Sequence, residues 1–217
     1  MRKTNIRLYN SSVGQKLFVG LTGLFLCTFL LVHLSGNTLL FRNDGGAAFN
    51  QYSHFMATNI AIRLLELGLA LGFLGHLFFA VRVWWRNRSS RPEGYRRNEP
   101  SENSTLVSRT MIVTGNIVFI FLAIHLKTFF VPSRVMGDPR PMYDLVAEAF
   151  RSPLYDAFYL VALALLGFHL RHGFQSAFQT FGLRPGLRPI IDAVAILFWL
   201  IVPIGYATMP LYFLFKS

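Results

Sequence analysis

Charge is scarce in this chain: only 14% of its 217 residues are Asp, Glu, Lys or Arg. An ordinary globular domain carries about a quarter, so the side chains needed to cover a water-facing surface are missing. Acidic residues are the rarer sign, ten against twenty-one Lys and Arg. Cysteine occurs once, as Cys27, which excludes an internal disulfide and any iron–sulfur cluster of the chain's own. Cys-x-x-Cys-His is absent, which excludes a covalently attached c-type haem. There is no nucleotide-binding fingerprint and no internal repeat of 20 to 50 residues. What the sequence does have is apolar surface: 53% hydrophobic residues and a mean hydropathy of +0.43. A bilayer is the solvent that suits such a chain.

Apolar runs of about 18 residues or more can cross a ~30 Å hydrocarbon layer as helices. Five occur, at approximately 15–41, 58–86, 105–131, 154–181 and 188–214, and they predict an all-α, single-domain membrane protein over residues 1–217. The first run is too long to be a removable signal peptide and no small-residue cleavage site follows it. Alternating the loops places Arg2, Lys3, Arg7, Lys16, Arg82, Arg86, Arg88, Arg91, Arg96, Arg97, Arg109, Arg184 and Arg188 on one side. Arg42, Arg63, Lys127, Arg134, Arg140, Arg151 and Lys216 fall on the other. Basic residues gather in cytoplasmic loops, so the net charge of +11 reads as topology and not as a nucleic-acid face, with the N-terminus inside. The loop from Asn87 to Ser104 is a solvated cytoplasmic connection. Residues 141–151 alternate apolar and charged positions at helical spacing and predict a short helix on the outer surface.

Histidine is the chemically active type left. Five of six lie within runs: His33, His76, His125, His169 and His172; His54 falls in a predicted loop. At a rise of ~1.5 Å per residue, His33 and His125 both stand about 28 Å from the inner helix ends. His76 and His172 both stand about 14 Å up, measured from Trp85 and Phe181. Two histidines facing each other at each of two levels are the donor set for bis-imidazole ligation of two b-type haems. Zinc wants three or four ligands at one point and fits less well. A neutral histidine bridging two helices is the plainer reading for any one of them. His169 and His172 are one turn apart, so spacing leaves the choice open and depth favours His172 slightly. Thr22 and Gly23, and likewise Thr114 and Gly115, leave room on spans one and three at the inner level. Gly68, Gly72 and Gly75 precede His76 and suit either close packing or ring clearance.

The stretches SSVGQKLFVGLTGLFLCTFLLVHLSGN, GHLFFAVRVWWRN, AIHLKTF and GFHLRHGFQSAFQTFGL together resemble the cytochrome b anchor of succinate:quinone oxidoreductases. The likeness is to the branch with one anchor polypeptide, five spans and two haems, and it extends from Ser11 to about Phe213. It implies that His172, followed by Gly173, is the span-four ligand, with His76–His172 holding the inner haem b and His33–His125 the outer. It also implies a flavoprotein and an iron–sulfur partner on the cytoplasmic face of a bacterial inner membrane, with succinate chemistry on the partner. Electrons would then pass to a membrane quinone, menaquinone, and a higher oligomer of the complex is compatible. Some fumarate-reducing relatives carry a glutamate two positions before the span-four ligand, where this chain has Leu170. The direction of the reaction therefore stays open, as do diheme anchors of formate dehydrogenase or hydrogenase type. A transporter is the reading from another class, disfavoured because charged groups within the runs are few and no matched pair of broken helices appears.

Quinone carbonyls need hydrogen-bond donors. At the inner level the candidates are Gln15, Lys16, Arg82, Gln175 and Gln179. At the outer level the candidate is Glu66, with Arg63 on the adjoining face as its plain ion-pair partner.

Overall fold

The computed structural model describes residues 11–89, 110–182 and 185–216. Arg2, Lys3, Arg7, Arg91, Arg96, Arg97, Arg109 and Arg184, which carry much of the orientation argument, lie outside the described residues. So do most of the Asn87 to Ser104 loop and the expected start of span three.

Every described regular element is helical. α1 runs Ser12–Asn37 and tightens into a 3-10 turn at Thr38–Phe41; α2 is Ala47–Thr58; α3 is Ile60–Ser89. α4 is Met111–His125 and continues as a π-helical segment, Leu126–Val135; α5 is Met142–Ala149; α6 is Pro153–Thr180. α7 is Arg188–Ile196, followed by a π turn at Leu197–Ile201 and by α8, Val202–Lys216. Five stretches are long and apolar enough to cross a membrane: Ser12–Phe41, Ile60–Ser89, Met111–Val135, Pro153–Thr180 and Arg188–Lys216. The five expected spans are therefore present, with shifted ends.

Local chemistry explains where these helices start. Ser11 caps α1, its Oγ accepting from the Gly14 N–H at 2.9 Å, and Ser152 does the same for Tyr155 at 3.4 Å with Pro153 behind it. Neighbouring spans run in opposite directions. Gly20, low on α1, packs against Ala177 and Phe181 at the end of α6, and Leu34, high on α1, packs against Gly205. The end of the bundle that carries Ser12 is termed the lower end.

α6 is the most buried span, with Tyr159, Leu163, Leu166, Leu170, Phe174 and Ala177 in one inward stripe. α1, α4, the π turn and α8 surround it. α3 leans mainly on α1 and reaches α4 through the stacked pair Phe73–Phe119, centroids 6.3 Å apart. Its outer face, from Leu64 to Trp85, is an almost unbroken apolar surface.

Above the upper end lies a small cap. The expected surface helix at 141–151 is α5, Met142–Ala149. The segment bearing His54, expected as a loop, is instead the helix α2. Gly45 and Gly46 turn the chain at φ +65° and +87°. Asp44 then receives the Gly46 and Ala48 N–H groups, each at 3.0 Å, satisfying donors at the start of the helix. The Tyr143 N–H donates to Asn50 Oδ1 at 2.9 Å, tying α5 to α2. In the α5 approach, hydrogen bonds from Arg140 hold the Asp138 carboxyl below its usual pKa.

Candidate functional site: two facing histidine pairs

The upper pair is His33 of α1 and His125 of α4. Their ring centroids are 5.9 Å apart with planes at 89°. Aromatic rings enclose them: Phe29 stacks on His33 at 5.3 Å, and Phe121 and Phe129 flank His125 at 5.9 and 5.2 Å. Tyr206 of α8 lies 5.9 Å from His33 and donates its hydroxyl to the Leu30 carbonyl at 2.7 Å. The Tyr159 hydroxyl is 2.6 Å from His125 Nδ1, which leaves Nε2 as the nitrogen available to a ligand. Asn37 Nδ2 lies 3.3 Å from His33 Nε2.

The lower level brings histidines of α3 and α6 against glycines of α1 and α4. His76 of α3 lies against Gly23 of α1, where an added Cβ would stand 3.3 Å from the ring. Its Nδ1 is 3.2 Å from both Thr22 Oγ1 and the Val19 carbonyl, so Nε2 is again the free donor. Across the bundle His169 of α6 lies against Gly115 of α4, also at 3.3 Å. His169 Nδ1 is buried without a hydrogen-bond partner among the described residues, and the ring is within electrostatic reach of His76.

The resemblance implies His172 as the span-four ligand, and the structure brings two α6 histidines, His169 and His172, to this level. His169, not His172, occupies the glycine notch that mirrors that of His76. His172 is half-buried one turn below, with Gly173 beside Met111. A signal for this existed in the sequence. Thr22, Gly23 and His33 recur as Thr114, Gly115 and His125 at one constant separation, and His76 recurs as His169 at one residue more. Each of these four histidines is followed by leucine: Leu34, Leu77, Leu126 and Leu170.

Two imidazoles on one iron, with bonds of about 2 Å each, stand with ring centres roughly 6 Å apart. The spacing of His33 and His125 matches that requirement, and Gly23 and Gly115 let the His76 and His169 rings pack closely on α1 and α4. Tyr159 engages His125 Nδ1, and Thr22 and the Val19 carbonyl engage His76 Nδ1, the kind of contact usual behind metal-bound imidazole. No group of three or more His, Cys, Asp or Glu converges among the described residues.

The quinone candidates do not converge. Gln15 is fully buried on α1 while Lys16, next to it, is exposed. Arg82 belongs to an open apolar groove on α3 with Leu74, Phe78, Val81 and Trp85. Gln175 and Gln179 follow His172 on α6, half-buried and exposed respectively. Glu66 is ion-paired with Arg63 at 2.5 Å, and Arg134 is within electrostatic reach of both. Tyr52 of α2, which the sequence did not single out, packs over Gly36 one turn above His33, and burial raises its phenol pKa. Arg171 was likewise missed; its guanidinium lies over the Trp199 ring, 5.1 Å from the centroid.

No family model matches the chain, and neither a curated protein nor a solved structure matches it.

Proposed function

We propose that the chain is a diheme cytochrome b anchor that carries electrons between a soluble dehydrogenase and a membrane quinone. What supports this reading is that His33 faces His125 on the upper level, while on the lower level His76 and His169 each lie against a glycine of another helix, within electrostatic reach of one another. Haem, when bound, supplies one-electron transfer at a potential set by its axial ligands, burial and nearby charge. The chain's own residues do the rest. The histidines would hold the haem through neutral nitrogen donors in pairs, a donor set suited to electron transfer. Tyr159, Thr22 and the Val19 carbonyl hold ring orientation, and the Phe29, Phe121 and Phe129 rings exclude water from the upper level.

The sequence resemblance narrows this to the succinate dehydrogenase anchor, with a flavoprotein and an iron–sulfur protein docked on the lower, cytoplasmic side and menaquinone as acceptor. The basic residues of the lower end, Lys16, Arg82, Arg86 and Arg88 among them, support that orientation. The test is pyridine-haemochrome analysis of the purified chain with its copurifying subunits. Two b haems per chain and a copurifying succinate-oxidising flavoprotein are expected, and one haem or none would end the proposal.

Glu66 offers a second measurement. Its pair with Arg63 is partly exposed and contributes at most about 1 kcal/mol, so Glu66→Gln is expected to keep assembly and both haems. A role in proton exchange with a quinone near the upper level requires quinone turnover to fall severalfold in that variant, with dye-linked succinate oxidation intact. Unchanged turnover leaves Glu66 as half of a structural ion pair.

A further inference from the structure

Arg171 is a charge in this fold that the two histidine levels do not explain. By the ~1.5 Å rise it stands about 15 Å above the lower end of α6, near the middle of a bilayer. It is exposed on the outer face of the helix. None of the described ion pairs includes it. Charged side chains at this depth are rare and face a partner or a functional site.

The protein has built a platform for it. The π turn at Leu197–Ile201 brings Trp199 beside α6, and Gly167 packs directly under the Trp199 carbonyl. Against that fixed indole the Arg171 guanidinium lies at 5.1 Å, a cation–π arrangement that holds the planar group while its N–H edges remain free to donate. Gln175 is one turn below on the same face and Gln179 one turn further. Phe168, one turn above, is 48% exposed. A polar stripe with an aromatic border therefore faces the lipid at the height of the lower histidines.

Depth decides what such a stripe receives. A phospholipid phosphate stays at the headgroups, too far away, and a guanidinium stacked on Trp199 is not snorkelling toward them. A quinone ring is a neutral double acceptor that moves within the hydrocarbon, and its carbonyls match the donors of Arg171 and Gln175. We infer that Arg171, Trp199 and Gln175 form the docking site of the membrane quinone, Arg171 donating to one carbonyl. This rests on the proposal that the chain serves a quinone. It moves the site from the scattered candidates Lys16 and Arg82 to the outer face of α6, on the same turn as His169.

The test uses the purified complex and 2,3-dimethyl-1,4-naphthoquinone as the probe. Binding is read, in a background with Trp84→Phe and Trp85→Phe, as the part of the fluorescence quenching that is lost when Trp199 is also replaced by Phe, and turnover as succinate-driven reduction. Arg171→Gln is expected to raise both the dissociation constant and the KM roughly tenfold, the value of one charge-assisted hydrogen bond. Haem content and dye-linked oxidation should not change, and Arg171→Lys should fall between. Unchanged quenching and KM in Arg171→Gln would overturn the inference. So would loss of haem or of a partner subunit with the KM intact, since Arg171 would then be a structural or subunit contact. A complex of the Trp84→Phe, Trp85→Phe background that lacks haem yet still shows Trp199 quenching by the probe would count against the haem proposal alone.

Discussion

If the proposed two b haems are bound, replacing His169 by alanine is expected to remove one of them, whereas His172→Ala should keep both. The motif likeness points the other way, to the histidine that precedes Gly173, so the two substitutions discriminate sharply. Three observations favour His169. Its ring fills the notch over Gly115 as His76 fills the notch over Gly23. Its Nδ1 is buried with no hydrogen-bond partner among the described residues, an expensive state for a polar atom unless a ligand or water completes it. It also takes part in the offset that relates the first pair of spans to the second. Haem content by pyridine haemochrome and a redox titration of the remaining haem would read the result. Loss of one ligand can unsettle the whole bundle, so added imidazole supplies a second arm. It should restore the missing haem in His169→Ala, where it can enter the vacated notch. Imidazole rescue confined to His172→Ala, or loss of a haem only in that variant, would return the ligand to His172.

The difficulty of choosing between these two histidines shows what a sequence can and cannot resolve in a membrane bundle. The spans were legible because lipid demands about 20 continuous apolar residues, a constraint that leaves little freedom. The two levels were legible because they differ by about 14 Å, many times the uncertainty of a helix end. His169 and His172 differ by only about 4.5 Å in height. A helix end misjudged by two residues shifts the estimate by about 3 Å, and here the last residue of α6 is Thr180 and not Phe181. Depth arithmetic therefore lacked the resolution, and rotation about the helix axis, which separates the two residues, follows from packing partners that the sequence does not name. α2 was hidden for a different reason. Its opening residues, Asn43 to Gly46, have the composition of a turn, and the helix that follows is capped from Asp44 two residues upstream of Gly46. Arg171 was hidden because its platform, Trp199, is on the next span and is aimed by a π turn that no periodicity predicts.

Gly167→Ala is expected to destabilise the bundle. An ideal Cβ at Gly167 would stand 2.6 Å from the Trp199 carbonyl oxygen and 3.6 Å from Pro203 Cγ. The first of these is backbone, and no rotamer change can move it aside. The helices must separate, and the contact they lose is the one by which α6, the core helix, holds the last span. Small residues at such crossings let backbones approach where there is no hydrophobic force to bring helices together in lipid. Overpacking of this kind costs about 2 kcal/mol or more. Gly68→Ala is the matched control. It lies in the middle of α3 with nothing within 4 Å of an added Cβ, so the change should be neutral or gain about 0.5 kcal/mol from the higher helix propensity of alanine. Thermal unfolding in detergent would compare them, with Gly167→Ala melting well below the parent and Gly68→Ala at or above it. The same variant should weaken naphthoquinone quenching of Trp199, because the indole is carried on the displaced segment. Equal melting temperatures for the two variants would mean that α6 and the π turn do not meet as closely as the Gly167 notch requires, and the platform under Arg171 would lose its support.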